Sequence, residues 1–226
     1  MSKTVLITGG SGQLAYRLKR DISSHFNVIN TYKQHHDKSR KLDLTNKKDF
    51  EYIFSIYNPD IIINCAALTD VDFCERNHSN CNLVNTQGLN KLIKFSNPNT
   101  KIIQISSDYV FNGMKGKYDE KAIPDPVNYY GKSKLEAENI LLGSGREFII
   151  FRVSMLFDNL FNNFFTWVLD SLKNNKEIKL STDMISNPTW IPSFSNIIIK
   201  SIYLNIYGIF HYGTDKHISR YDFAKL

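Results

Sequence analysis

Along the first two thirds of the chain, short runs of aliphatic and β-branched residues alternate with longer stretches whose apolar positions recur every three or four residues. The short runs are Thr4 to Thr8, Val28 to Thr31, Ile61 to Asn64, Lys101 to Ile105 and Phe148 to Phe151. Helical spacing falls on Gln13 to Ser24, Lys47 to Tyr57, the stretch around Ser79 to Phe95, and Asn128 to Leu142. Strands sealed on both faces read as near-continuous apolar runs, so this order predicts consecutive βαβ units and a parallel sheet over roughly residues 1 to 155. Beyond it come a helix near Asn162 to Lys173, a turn-rich stretch with Pro188 and Pro192, a helix near Ser193 to Leu204, and an apolar run Gly208 to Tyr212. That less regular tail, residues 156–226, reads as a small C-terminal lobe over the open edge of a doubly wound α/β sheet.

Composition changes this picture little. Hydrophobic residues at 42% and charged residues at 22% fit a folded globular chain and neither a disordered nor a membrane class. The formal charge of +6 could mark a nucleic-acid partner. The Lys and Arg residues are scattered instead of lining one helix face, so no nucleic acid is expected, and anionic, phosphate-bearing ligands account for the same excess. Cys65, Cys74 and Cys81 lack the paired spacing of a zinc or redox motif and read as reduced thiols. No apolar run reaches the roughly 18 residues of a membrane span, which points to a cytoplasmic protein without a membrane partner. His25, His35, His36, His78, His211 and His217 have no metal-ligand spacing and read as surface or packing residues; no metal is expected.

The segment Thr8-Gly9-Gly10-Ser11-Gly12-Gln13-Leu14-Ala15 follows the first strand and opens the first helix, the context a dinucleotide-binding turn requires. Gly9 permits the tight turn, Gly12 lets backbone amides approach a pyrophosphate, and Ala15 stands where a small residue allows close helix packing. Gln13 and Leu14 begin the helix whose positive end faces the phosphates. No Gly-Lys-Ser/Thr follows, which disfavours a mononucleotide triphosphatase. Residues 1–155 therefore read as a Rossmann-type NAD(P)-binding domain. The second strand ends Val28-Ile29-Asn30-Thr31-Tyr32-Lys33 without the acidic residue that takes the ribose hydroxyls. Lys33 is available for a 2′-phosphate, which favours NADPH, with NAD as the alternative.

Tyr130 and Lys134 stand four apart in a helical stretch and so project from one face. A phenol with a reference pKa of about 10 exchanges protons poorly at neutral pH until a neighbouring ammonium stabilises its phenolate. Ser106-Ser107-Asp108-Tyr109-Val110-Phe111 ends the fourth strand at the carboxyl edge, where open α/β sheets bind ligands. A serine there can hydrogen-bond a substrate carbonyl while the tyrosine protonates it.

With these motifs in the expected order the chain resembles an extended short-chain dehydrogenase/reductase, most similar to the dTDP-4-dehydrorhamnose reductase group. The matching runs also include Leu42-Asp43-Leu44-Thr45, Asn64 to Asp72 and Phe151-Arg152-Val153-Ser154. The resemblance implies NAD(P)H-dependent reduction of the keto group of a nucleotide-linked deoxysugar, with Ser107, not Ser106, beside Tyr130 and Lys134 as the catalytic set. It implies that Asp43 and Leu44 lie by the adenine, that Ala66 and Ala67 line the cofactor cleft, and that Asn85 supports the site. It places Asp108, Val110, Arg152 and Ser154 with Ser107 around the substrate, and admits a homodimer. The alternatives are a nucleotide-sugar epimerase or dehydratase, and a non-catalytic NADP-binding protein resembling the regulatory subunit of methionine adenosyltransferase.

The departures from that group are specific. Arg17 stands where some relatives have an acidic residue used for an intersubunit metal, and Met155 where the reductases often have a tryptophan near the sugar. The aromatic residues Phe157, Phe161, Phe164, Phe165 and Trp167 read as lobe packing, with an interface role as the alternative. The chain stops just after Ser219 to Leu226, where relatives continue, so the substrate lobe is either naturally short or cut.

Overall fold

The computed structural model describes residues 3–226. Strand β1 (Thr4–Thr8) leads through α1 (Gln13–Ile22) to β2 (Asn27–Asn30), and α2 (Lys47–Ile56) leads to β3 (Ile61–Asn64). Then come α3 (Val71–Arg76), α4 (His78–Cys81), a π-helical turn at Asn82–Thr86, α5 (Gln87–Phe95), β4 (Lys101–Ser107), α6 (Tyr129–Leu142) and β5 (Phe148–Val153). The remainder holds β6 (Leu156–Phe157), α7 (Phe164–Lys173), β7 (Ile185–Ser186), β8 (Thr189–Trp190), α8 (Ile191–Tyr203), β9 (Gly208–Tyr212), β10 (Ile218–Ser219) and α9 (Arg220–Lys225).

The main sheet has the order β2-β1-β3-β4-β5-β9, and every neighbouring pair in it is parallel. Successive residues of each strand face opposite layers. Val5, Ile7, Ile61, Ile63 and Ile103 pack with Leu18 of α1 and with Phe194 and Ile198 of α8. Leu6, Ile62, Ile102 and Ile150 pack on the other face with Phe50, Leu89, Leu92, Ala137 and Leu141 of α2, α5 and α6. The chain reverses direction across the sheet at β1, so a crevice opens between the carboxyl ends of β1 and β3. A buried polar ladder fixes the register there: Thr8 Oγ1 donates to Asn64 Oδ1 at 2.6 Å, and Asn64 Nδ2 donates to Gln104 Oε1 at 2.8 Å.

The structure corrects the expected extent of the sheet. Its sixth strand is β9, which pairs with β5, and α8 packs into the same layer as α1, so the sheet runs well beyond residue 155. Pairing across more than fifty positions leaves no local mark in the sequence. The stretch Ser79 to Phe95 is not one helix either: α3, capped by Asp70 accepting from the Phe73 amide at 2.8 Å, precedes it, and the π turn interrupts it. The aromatic residues beyond β5 do pack together, Phe157 lying 5.2 Å from Trp190 and 5.1 Å from Phe223 between ring centres. Among the described residues no helix is long and apolar enough to cross a membrane.

Phe194 shows how firmly the later elements join this core. It is fully buried, meets Phe151 of β5 edge-on at 5.3 Å and stacks on Tyr212 of β9 at 5.1 Å. Phe194→Ala is expected to cost about 3–5 kcal/mol of unfolding free energy in a denaturant titration. A cost below about 1 kcal/mol would mean that α8 is not integral to the core.

Candidate active site

Gly9 turns the chain with φ of +70°, and a Cβ there would lie 2.9 Å from the backbone of Ala66. Only glycine suits both demands. Gly12 N–H donates to the Gly9 carbonyl at 2.8 Å and Gly10 N–H to the Thr31 carbonyl at 2.7 Å, so the turn is held against β2. The first turn of α1 carries neither a side-chain cap nor an acidic residue. Its free amides and positive dipole end therefore suit an anion. At the end of β2 the buried Asn30 Oδ1 has no hydrogen-bond partner among the described residues, and its side chain abuts Gly10. A free acceptor beside uncapped amides fits the ribose and pyrophosphate of a dinucleotide.

The other residues expected at a cofactor are placed unevenly. Ala66, whose amide donates to Thr8 Oγ1 at 3.1 Å, and Ala67 lie partly exposed after β3 at the crevice. Gln13 spans the opening of α1 and the following lobe, with Nε2 donating to the Leu156 carbonyl at 3.4 Å and Oε1 accepting from Asn163 at 3.3 Å. Lys33 is exposed just past β2. Asp43 turns its carboxylate onto its own chain, accepting from the Thr45 amide and hydroxyl at 2.9 and 2.8 Å. Leu14 and Leu44 belong to the apolar core, Leu44 packing against Gly88, so their side chains face inward and not the crevice.

Helix α6 brings the proton-handling groups to the end of β4. Its N-terminus is fixed by Asn128 Oδ1, which accepts from the Gly131 amide at 2.8 Å. Tyr130 and Lys134 are both buried on the face toward β4, and the Ser107 hydroxyl is near enough to Tyr130 to act on its phenol. Lys134 Nζ donates to the Ile105 carbonyl at 2.6 Å. Ser107 Oγ also donates to Asp108 Oδ1 at 3.2 Å and accepts from the Tyr109 amide at 3.2 Å. Ser106 is turned the other way, bonded to Glu138, while Ser107 is the serine on the side of Tyr130.

Burial sets the protonation of this group. It raises the Tyr130 phenol above its ordinary value, against the lowering effect of the Ser107 hydrogen bond. It pulls the Lys134 ammonium down to about 8, with Glu138 foremost among the groups opposing that fall. Asp108 is also raised by burial, opposed by hydrogen bonds with Ser154 and Ser107. The expected lowering of the tyrosine by its lysine neighbour is corrected: burial raises the phenol, and the group opposing that rise is Ser107 and not Lys134.

A cavity of about 720 Å³ begins at Asp108 and is walled by Phe111, Arg152, Ser154, His211 and the glycine-flanked loop through Tyr118. Val110, expected at the substrate, is fully buried in the turn after β4, a correction that follows from its apolar side chain closing that turn from within. Arg152 lines the cavity but directs its guanidinium at Glu138, with Nη2 to Oε2 at 2.7 Å. Asn85, brought round by the π turn, bonds Leu68 at both backbone groups, at 2.8 and 3.0 Å, and Ser133 Oγ at 3.0 Å.

Sequence reasoning missed Glu138, Gly131 and His211. Glu138 continues the four-residue spacing from Tyr130 through Lys134, a signal that was there to be extended. His211 has no metal-ligand spacing and carries no other signal in the sequence. Its Nδ1 lies 3.1 Å from the Tyr118 carbonyl and its Nε2 3.5 Å from Arg152 Nη1, a role only the β5–β9 pairing reveals.

The family model described as RmlD substrate binding domain matches residues 3–226. A dTDP-4-dehydrorhamnose reductase of Aggregatibacter actinomycetemcomitans is 36% identical over 97% of this chain and 76% of its own length. The β subunit of methionine adenosyltransferase 2 of Xenopus laevis is 26% identical over 99% of this chain and 70% of its own. Among solved structures, the dTDP-4-dehydrorhamnose reductase of Bacillus anthracis in complex with NADP superposes with a TM-score of 0.92 at 31% identity, covering 100% of this chain and 79% of that one.

Gly131 tests how closely α6 must approach the turn after β4. A Cβ at Gly131 would run into the Tyr109 carbonyl oxygen and press on Pro126. Alanine favours helices by about 1 kcal/mol over glycine, yet Gly131→Ala must push α6 away from Ser107. A displacement near 1 Å is expected to lower kcat/KM by about a hundredfold with helical content unchanged by circular dichroism. Parent-like turnover would show that this approach is not needed.

Proposed function

The chain belongs to the RmlD substrate binding domain family, and we propose from that membership and from the meeting of Ser107, Tyr130 and Lys134 that it reduces the keto group of a nucleotide-linked deoxysugar with NAD(P)H. The substrate class follows the dTDP-4-dehydrorhamnose reductases, one of which is 36% identical over most of the chain. The observation that carries the chemistry is a buried phenol, kept protonated by its dry surround next to Ser107, whose neighbour Asp108 lines a cavity of about 720 Å³.

A bound nicotinamide coenzyme supplies the hydride. The chain's own groups manage the oxygen. Ser107 orients the substrate carbonyl by hydrogen bonding, and Tyr130 gives its proton to the oxygen as negative charge develops there, leaving a hydroxyl on the sugar and a phenolate on the enzyme. Lys134 supports that phenolate and offers its ammonium to the coenzyme ribose. Gly9, Gly12, Gln13 and the free amides of α1 hold the pyrophosphate, and Ala66 and Ala67 line the coenzyme crevice. Lys33 takes a 2′-phosphate at the exposed end of β2. Residues 1–155 carry the coenzyme and one side of the sugar cavity, while residues 156–226 give β9 and α8 to the core and close the other side of that cavity from Asp183 to Asn187 and from His211 to Thr214.

Incubation with NADPH and a panel of nucleotide-linked 4-keto sugars tests the assignment through loss of coenzyme absorbance. Tyr130→Phe should retain NADPH binding and lose at least about a hundredfold in turnover, the low end for a missing general acid. Binding without turnover by the parent would contradict the catalytic role. Lysine is charged below its pKa, so activity should fall as pH rises through about 8, where Lys134 gives up its proton in the coenzyme-free protein. A flat profile to pH 10 would remove Lys134 from the scheme. Lys33→Glu should weaken NADPH far more than NADH, because it exchanges an attractive charge for a repulsive one; equal losses would make Lys33 a solvated loop residue.

A further inference from the structure

Glu138 sits one helical turn beyond Lys134, on the same face of α6, and is fully buried. Its carboxylate accepts from Ser106 Oγ of β4 and from Arg152 of β5, where Nε lies 3.1 and 3.2 Å and Nη2 2.7 Å from its oxygens. Ser106, Arg152 and His211 are successive partners across β4, β5 and β9, so this one carboxylate ties the catalytic helix directly to two strands and, through Arg152, reaches the third. A buried ion pair contributes little net stability, since desolvation consumes most of the attraction. Stability alone therefore does not account for a sealed pair beside the reactive lysine.

We propose that Glu138 is a positioning residue for the proton-handling pair: its buried carboxylate, shared with Arg152, stands one helical turn from Lys134 as the counter-charge to its ammonium, while its bonds to Ser106 and Arg152 hold α6 in register with Ser107. This deepens the reductase reading and rests on it. The groups around Lys134 leave the role to Glu138. Tyr130 is held protonated, burial pushes the Cys65 thiol up to about 12, and Cys81 is a buried thiol donating to Ser133. Arg152 is the one guanidinium bonded to Glu138 among the described residues, and its remaining Nη1 faces His211. Asp108 lies beyond Ser107, on the cavity side.

Opposed substitutions separate this electrostatic role from a packing role. Glu138→Gln keeps the shape and removes the charge; the titration midpoint of Lys134, read from its 13Cε resonance in the coenzyme-free protein, should fall by about one pH unit or more. Arg152→Gln frees the carboxylate's field, and the same midpoint should rise. Glu138→Asp keeps the charge and should leave the midpoint near the parent's while lowering turnover through lost register. In the parent and each active variant the basic limb of kcat/KM should move with the midpoint. Midpoints unmoved, or moved in the same direction by Glu138→Gln and Arg152→Gln, would overturn the proposal. If Glu138→Gln does not fold, the sign of the Arg152→Gln shift decides it. The resonance needs no substrate, so failure of the reductase reading shows only in turnover and failure of this proposal in the titration.

Discussion

Three contacts between α6 and the carboxyl end of β4 determine where the chemistry can occur. Lys134 bonds the Ile105 carbonyl at 2.6 Å, Glu138 bonds Ser106, and Gly131 lets the helix lie against the Tyr109 carbonyl. Together they set the height and rotation of the helix, so that Tyr130 arrives at Ser107. Asn85 and Thr86 clamp the same helix from the opposite side through Ser133, using the extra width that a π turn gives. The parallel sheet makes this possible by ending all of its strands at one edge, and the reversal at β1 puts the glycine turn beside them.

Burial then acts on two groups in opposite ways. A dry surround favours the neutral form of each, which raises the Tyr130 phenol and lowers the Lys134 ammonium. For a reduction this is a serviceable starting condition, because a proton donor must begin protonated. The cation that must receive the resulting phenolate is the group burial threatens, and the carboxylate of Glu138 is the nearest counterweight on the helix.

How much of this was legible in the sequence depended on distance along the chain. Strands and helices of the first half announced themselves through local periodicity, and the turn Gly9 to Gly12 and the pair Tyr130 and Lys134 through short spacings. Strand β9 was visible as an apolar run, but not its place beside β5, because no local pattern encodes a partner that distant. Leu44 and Val110 were assigned from motifs, and motifs do not say which way a side chain points; both turn inward. Ser106 and Ser107 are alike in the sequence and only the resemblance separates them; in the structure Ser106 bonds Glu138 and Ser107 bonds Asp108. The short ladders β6–β8 and β7–β10 have two residues per strand, too few to form a pattern.

Reduction and epimerisation share the tyrosine and lysine and part only in the fate of the hydride, so the hydride is what should be followed. Incubation with NADPH deuterated at the transferring position and a nucleotide-linked 4-keto sugar, with mass spectrometry of the sugar product, follows it directly. One deuterium gained per sugar, with one coenzyme oxidised for each, is the expected result. Sugar turned over with its coenzyme unconsumed and no deuterium carried to it would contradict the assignment of this chain as a reductase.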